Sequence, residues 1–434
     1  MALALLVGNW RDRRRVVATV LLAVVLFTGA QLAFRFMYYA DVLPNTAYAK
    51  VAFAWKRVDQ GLEYLKASLD VLAAVWLSFL LLAVASIRRR VPRAWLAVVV
   101  LPALVWTVYV VFIGGDIFPA WRQFVPVVAL GALAATLVCR GNPKKPAWQL
   151  GLCLVALVLV GTRLDPKNWA AQERWQWDGR PVGELLQAGF GEQRPLIAVD
   201  AAGTIPFYSK LPSLDMLGLS DRYLAHNRPK HLGTGTLGHE LGDPRYYLER
   251  APDVFCFGVP PCAHPAKFGA QREMVATSEF QQGYSPLRFA VPDQGRMLVS
   301  ELWVRRDGAI GIVRTMNEVR VPAYFFAVSP GAIAHFSNGH FRTHLSVPAE
   351  VATPPVELRA GSWVLSLPVS LVQGGELLVR SLPPASRTLA SAVGRLEKPI
   401  SFLLTADARV EVVLKVNGGG LVEVPDAVLR ARSN

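Results

Sequence analysis

Apolar positions crowd the first 160 residues of the chain and then thin to an ordinary globular mix. Apolar runs cover residues 16–34, 68–87, 94–113, 124–139 and 147–162. The second and third meet the roughly 20 residues an α-helix needs to cross a bilayer, and the last two are shorter. The first run follows a cluster of arginines, as a secretory signal would. No small-residue cleavage site follows it, however, and Arg35 and two tyrosines come instead, so it reads as a spanning helix. The pattern predicts an α-helical membrane domain of about five spans over residues 1–163. Beyond it, residues 195–200, 253–257 and 297–304 read as strands and 182–188 as a helix, an α/β domain over 164–310. After 311, short strands near 324–328, 363–367, 376–379 and 410–416, punctuated by Gly and Pro, predict a β-sandwich-like domain to residue 434.

Charge changes the picture by its placement. The 434 residues carry 46 Lys and Arg against 32 Asp and Glu, a formal charge of +14 that would ordinarily suggest a nucleic-acid partner. Yet the basic residues gather beside the apolar runs: Arg11, Arg13, Arg14 and Arg15; then Arg88, Arg89, Arg90 and Arg93; then Arg140, Lys144 and Lys145. Such clusters set topology and meet anionic lipid, and no basic groove interleaved with aromatics is present. With five spans all three clusters fall on one side. That puts the N-terminus in the cytoplasm and residues 35–67, 114–123 and everything after 163 outside. The expected location is a bacterial inner membrane, crossed several times, with no nucleic-acid partner.

The outer loop 35–67 is predicted to hold an interfacial helix. Pro44 interrupts any continuous helix, and Asn45 or Thr46 is placed to cap a new one bearing Tyr48, Val51, Phe53 and Trp55. Arg35, Asn45 and Lys50 suit the phosphate of a lipid-linked substrate, although plain anchoring by Tyr and Lys reads the same residues equally well. The second outer stretch, Gly114-Gly115-Asp116-Ile117-Phe118-Pro119-Ala120-Trp121-Arg122, places an acid and a guanidinium together at the membrane surface. Ionisable residues there are functional candidates, with a wet inter-helix turn anchored by one Arg as the alternative.

Other motifs are weaker. His239-Glu240 is not a zincin pair, because position 243 is Asp rather than His, and His226, His231, His264, His335, His340 and His344 show no converging ligand spacing. Neither metal nor other cofactor is predicted. Gly233-Thr234-Gly235-Thr236-Leu237-Gly238 spells the dinucleotide fingerprint but lacks a strand before it, and reads as a flexible glycine loop. No nucleophile elbow is present. Asp215 and Asp221 read as a carboxylate pair or as turn formers. Cys139 and Cys153 read as apolar fillers, whereas Cys256 and Cys262 close a short disulfide loop or remain thiols.

The segments Tyr38-Tyr39…Leu43-Pro44-Asn45-Thr46-Ala47-Tyr48-Ala49-Lys50, Gly114-Gly115-Asp116…Arg122…Pro126, Asp215-Met216-Leu217-Gly218-Leu219-Ser220-Asp221 and Gly238-His239-Glu240 come in an informative order. Together they resemble the GT-C-type family of mycobacterial terminal arabinofuranosyltransferases and related flagellar motor control proteins, over roughly residues 35–253. The resemblance implies transfer of a sugar from a polyprenyl-phosphate donor to an envelope glycan. It implies substrate-binding places for Arg35, Asn45, Tyr48, Lys50, Arg122, Asp215, Asp221 and His239, and a supporting catalytic place for Asp116. The family's acidic first outer loop, with its catalytic aspartate, has no match here. The expectation is therefore a start that is misassigned or truncated, a non-catalytic relative, or one half of a system whose second chain supplies the missing spans. The alternative to a transferase is a non-catalytic membrane protein whose outer part binds glycan or a protein partner.

Overall fold

The structure is a computed structural model, and it describes residues 10–118, 120–140, 174–230, 232–263, 265–346, 348–369, 375–383, 386–394, 398–417 and 421–432. The run at 147–162, with Cys153, Lys144, Lys145, His231 and His264, lies outside the described residues. The chain packs as two compact units. One holds the N-terminal helices together with Ala225–Leu241; the other is bounded by Glu173–Leu224 and Gly242–Asn434.

The N-terminal unit is helical: α1 (Trp10–Tyr39), α2 (Asn45–Lys50), α3 (Trp55–Val71), α4 (Ala73–Ile87), α5 (Leu101–Ile113) and α6 (Val125–Arg140). Among the described residues three helical stretches are long and apolar enough to cross a membrane, Arg14–Tyr39, Leu96–Ile113 and Arg122–Cys139. The run at 68–87 is not one straight helix. It breaks at Leu72, where α3 and α4 meet at 86°. The physical reason lies in the side chains on either side. α3 carries Lys56, Arg57, Asp59, Glu63, Lys66 and Asp70 and belongs at a polar surface, whereas α4 is almost wholly apolar. At the junction the Ser68 hydroxyl donates back to the Leu65 carbonyl at 2.6 Å, a local bond that bends helices. The helix predicted from Asn45 also ends early, at Lys50. Pro44 takes the cap position, with no side-chain capping bond from Asn45 or Thr46, and residues 51–54 run extended into α3.

Glycines set the helix contacts. α3 lies so close to α5 that a Cβ on Gly61 would fall inside contact distance of the Val111 backbone, and a Cβ on Gly131 of α6 would sit 2.6 Å from Val75 Cγ1 of α4. Leu82, Val99, Val110, Phe124, Val127 and Ala134 fill the space between. Gly61→Leu must displace backbone and is expected to lower stability by about 1–3 kcal/mol, read as a fall in thermal midpoint. Gly29→Leu, where a Cβ meets nothing, is the matched control and should leave it unchanged.

The second unit is α/β at its start and β-rich throughout. Strands β1 (Ile197–Val199), β2 (Ser213–Asp215) and β3 (Val254–Cys256) are short and parallel, with β1 central and β1 and β3 apolar and buried throughout. The hairpin β4 (Tyr284–Asp293) and β5 (Arg296–Arg305) continues the sheet antiparallel, followed by Ala332–Ser337, His340–Leu345 and Val422–Val424. This eight-stranded sheet thus draws strands from both sides of residue 310. Two further five-stranded antiparallel sheets complete the unit, one built around Ala408–Val416 and the other around Gly361–Ser366 and Ala427–Ala431. One buried cluster runs through all three sheets, from Val182 and Ile197 to Leu365, Val412 and Leu429. The strand expected at 324–328 is instead a 3-10 turn, Ala323–Phe326. All four of its residues are buried, and a short apolar run does not by its pattern distinguish strand from helix.

Candidate functional site

The site is built where α5 ends. Gly114 stops that helix in the left-handed conformation (φ 90°) and Gly115 continues it (φ 75°), as C-terminal glycines do. A Cβ on Gly115 would lie 2.6 Å from Cβ of Tyr64, so only glycine lets the chain pass over α3 here. Asp116 follows, and the turn is completed by Ala120 and Trp121, both with positive φ (70° and 47°). Side-chain-bearing residues in that region store strain, which collects at functional sites.

Asp116 is nearly buried and fully engaged. Arg122 donates to its carboxylate from Nε and, at 3.3 Å, from Nη2; Gln123 Nε2 donates at 3.2 Å and the Phe118 N–H at 3.3 Å. The Arg122 guanidinium also lies 4.1 Å from the centre of the Phe118 ring. Burial pushes the Asp116 carboxyl upward, but Arg122, the Phe118 N–H and Gln123 together outweigh it and hold the group below the usual carboxylate range. An ionised, donor-saturated carboxylate orients ligands well and abstracts protons poorly, since a general base works best with its pKa near the operating pH.

Beside Asp116 opens a cleft of about 580 Å³, lined by Lys56, Gln60, Glu63, Tyr64 and Ala67 of α3, by Gly114, Asp116 and Ile117, and by Gly235, Thr236 and Leu237. The α3 lining follows from helical period. Lys56, Gln60, Glu63 and Ala67 form one stripe, and the neighbouring stripe packs inward through Arg57, Gly61 and Ser68, with half-buried Tyr64 reaching the cleft. The third wall belongs to Ala225–Leu241, a strap that returns to this unit. Lys56 Nζ donates to the Thr234 carbonyl at 2.5 Å, and Gly233 approaches Ala54 so closely that a Cβ would lie 2.8 Å from it. Glu240 accepts from the Gly233 N–H at 3.0 Å, from the Gly235 N–H and from the buried Arg57 guanidinium.

The sequence-predicted residues disperse. Asp116 is in the cleft, and Arg122 is bonded to it. Arg35 donates from Nε to the Val42 carbonyl at 2.9 Å, and its guanidinium lies over the Tyr39 ring. Tyr48 donates to Asp41 at 2.8 Å and packs its ring, tilted by 39°, against His226, whose Nε2 lies 2.9 Å from Asp41. Asn45 is the first residue of α2, and the Lys50 stem passes over Gly238. The His239 ring lies 3.0 Å from the Leu237 carbonyl, and its neighbour Glu240 ties the strap to Arg57. Lys56, Gln60, Glu63 and Tyr64 were missed by sequence reasoning; the α3 stripe is the signal that finds them.

Asp215 and Asp221 belong to the second unit as turn and capping residues. Asp215 accepts from Leu217 N–H (3.0 Å), Ser220 N–H (2.6 Å) and the Ser220 hydroxyl (2.9 Å). Asp221 accepts from Leu224 N–H (3.0 Å) and the Tyr246 hydroxyl (2.9 Å). Cys256 and Cys262 are joined by a disulfide. Among the described residues no group of three or more His, Cys, Asp or Glu is placed to hold a metal ion.

Asp200, at the end of β1, was not singled out in the sequence. It is buried and bonded to the Gly258 N–H (2.6 Å) and to Gln271, and burial pushes its carboxyl up to about 7. The raised value means the folded unit keeps a proton that the unfolded chain loses near pH 4. This contribution is full below pH 4 and falls away as pH rises through 7, at most on the order of 4 kcal/mol. Asp200→Asn should therefore flatten the loss of thermal midpoint between pH 4 and 7, and an unchanged pH profile would contradict the assignment.

Comparison with known proteins finds a domain of unknown function (DUF8728) over residues 167–300. No characterised protein matches by sequence. Among solved structures, the C-terminal CBM6 of the laminarinase LamC from Zobellia galactanivorans is 11% identical. The match covers 26% of this chain and 99% of that one, with a TM-score of 0.23. CsCBM6-3 from Clostridium stercorarium, in complex with cellobiose, is 14% identical over 26% of this chain and 93% of its own, with a TM-score of 0.20. A family 43 arabinoxylan arabinofuranohydrolase from Bacillus subtilis is 14% identical over 33% of each chain, with a TM-score of 0.21. This chain spans about a third of that hydrolase. Likenesses of this size carry no argument about ligand or fold. The class defined by the structure itself is a protein of apolar, span-length helices with a polar cleft beside them, followed by a β-rich unit.

Proposed function

We propose that this chain is a bacterial multi-pass membrane protein whose cleft, on the outer face, binds an envelope glycan. The observation that carries this reading is the balanced polar lining around Asp116. Lys56 offsets Glu63 and Arg122 offsets Asp116, while Gln60 and the backbone of residues 235–237 supply neutral donors and acceptors. Carboxylates and amides in that arrangement suit the hydroxyls of a neutral sugar better than a dianionic phosphate.

The second reading is the GT-C-type transferase acting from a polyprenyl-phosphate donor. One observation favours it. Three of the four motifs behind that resemblance meet in a single unit: Lys50 runs over Gly238, Glu240 pairs with Arg57, and Arg57 borders Gly114. The ionised state of Asp116 speaks for binding rather than catalysis by this residue. Radiolabelled polyprenyl-phosphate sugar, incubated with membranes carrying the chain and an envelope glycan acceptor, separates the two. Labelled product supports transfer, retention of glycan without turnover supports binding, and neither outcome would leave both readings without support.

A further inference from the structure

The glycine loop at residues 233–238 has the spacing of a phosphate cradle, but its amides are already spent. The N–H groups of Gly233 and Gly235 point at the Glu240 carboxylate, which also takes the Arg57 guanidinium. Arg57 is completely buried and Glu240 is 6% exposed, so this carboxylate is a fixed internal anchor and not a group waiting for a ligand. Arg57 is tied in turn to Gln60 at 3.3 Å, and Gln60 lines the cleft. Neither Arg57 nor Glu240 lines it. Both act through residues that do: Gln60 on one wall, Gly235, Thr236 and Leu237 on the other.

We infer that Glu240 is a positioning residue, which curls the glycine loop around its own carboxylate and so sets the strap wall of the cleft and its selectivity among glycans. This rests on the glycan-binding reading above. A loop of three successive hydrogen-bonded anchors, from Lys56 to Thr234 and from Gly233 and Gly235 to Glu240, presents main-chain groups at fixed height over α3. Freed of Glu240, the two glycines at 233 and 235 regain the conformational range that no other residue has, and the wall loses its shape.

The test uses the full chain in lipid nanodiscs with Glu240→Ala and Glu240→Gln, read by amide hydrogen exchange and by binding to a panel of neutral oligosaccharides. Both variants leave the buried Arg57 without a counter-charge, and they differ in that Glu240→Gln keeps a side-chain oxygen where Glu240→Ala keeps none. That amide oxygen still accepts from the loop. In Glu240→Ala, exchange over residues 233–237 should accelerate about 10-fold or more while α4 to α6 keep their protection, and affinity should fall with a changed preference among the oligosaccharides. Glu240→Gln should recover most of the protection and most of the preference. Unchanged exchange in Glu240→Ala overturns the inference, as does faster exchange with unchanged affinity and preference. If wild type binds none of the panel, the glycan reading fails, and the exchange data still decide whether Glu240 shapes the wall.

Discussion

Arg57→Met is expected to destabilise the N-terminal unit by about 3–5 kcal/mol, the usual cost of stranding one member of a buried ion pair. The guanidinium is wholly buried, and its partner Glu240 has no water to turn to once the charge is gone. The two glycine N–H groups that remain do not neutralise a carboxylate. The effect should appear as a large fall in thermal midpoint of the purified protein in nanodiscs. Arg57→Met combined with Glu240→Leu should recover a substantial part of it, because removing both charges also removes the desolvation penalty. A single variant that melts like wild type would show that this pair is not buried.

Asp116→Asn is expected to weaken glycan binding about 10- to 100-fold with the fold intact. Asparagine still accepts from the Phe118 N–H, so the turn closes. It withdraws the anion that orders Arg122 and Gln123 beside the cleft. Any transfer activity should fall with the binding. The pH dependence follows from the depressed pKa. The ionised form is the competent one, so binding should be flat above the ordinary carboxylate range and decline only as pH falls through and below it. Circular dichroism and thermal midpoint distinguish a folded, non-binding variant from an unfolded one.

How much of this could be read from the sequence depended on distance along the chain. The apolar runs located α1, α5 and α6 because burial in lipid demands length and little else. The six-residue spacing of Asp116 and Arg122 between two glycines and a proline was legible as a turn bearing a charge pair. The break at Leu72 was not, since 68–87 is apolar but for Asp70 and its serines, and α3 runs only a few residues into it. Charges at Lys56, Arg57, Glu63 and Lys66 read as scattered; only the helical register reveals that one stripe faces a cleft and the next packs inward. The strap was beyond reach for another reason. Glu240 meets Arg57 across 183 positions, and no local pattern encodes such a meeting. Local pattern instead drew attention to its neighbour His239 and gave the glycine segment as a flexible loop, where the structure has it anchored. In the second unit, residues 324–328 show the same limit at short range, where Tyr324, Phe325 and Phe326 suit a strand or a buried turn equally well.

The most direct test of the central claim is the binding of a neutral envelope-oligosaccharide panel by the full chain in nanodiscs, wild type beside Asp116→Asn. The account predicts saturable binding of at least one glycan by wild type and its loss, by about 10-fold or more, in a folded Asp116→Asn. Equal binding by both, or no binding by wild type, would contradict it.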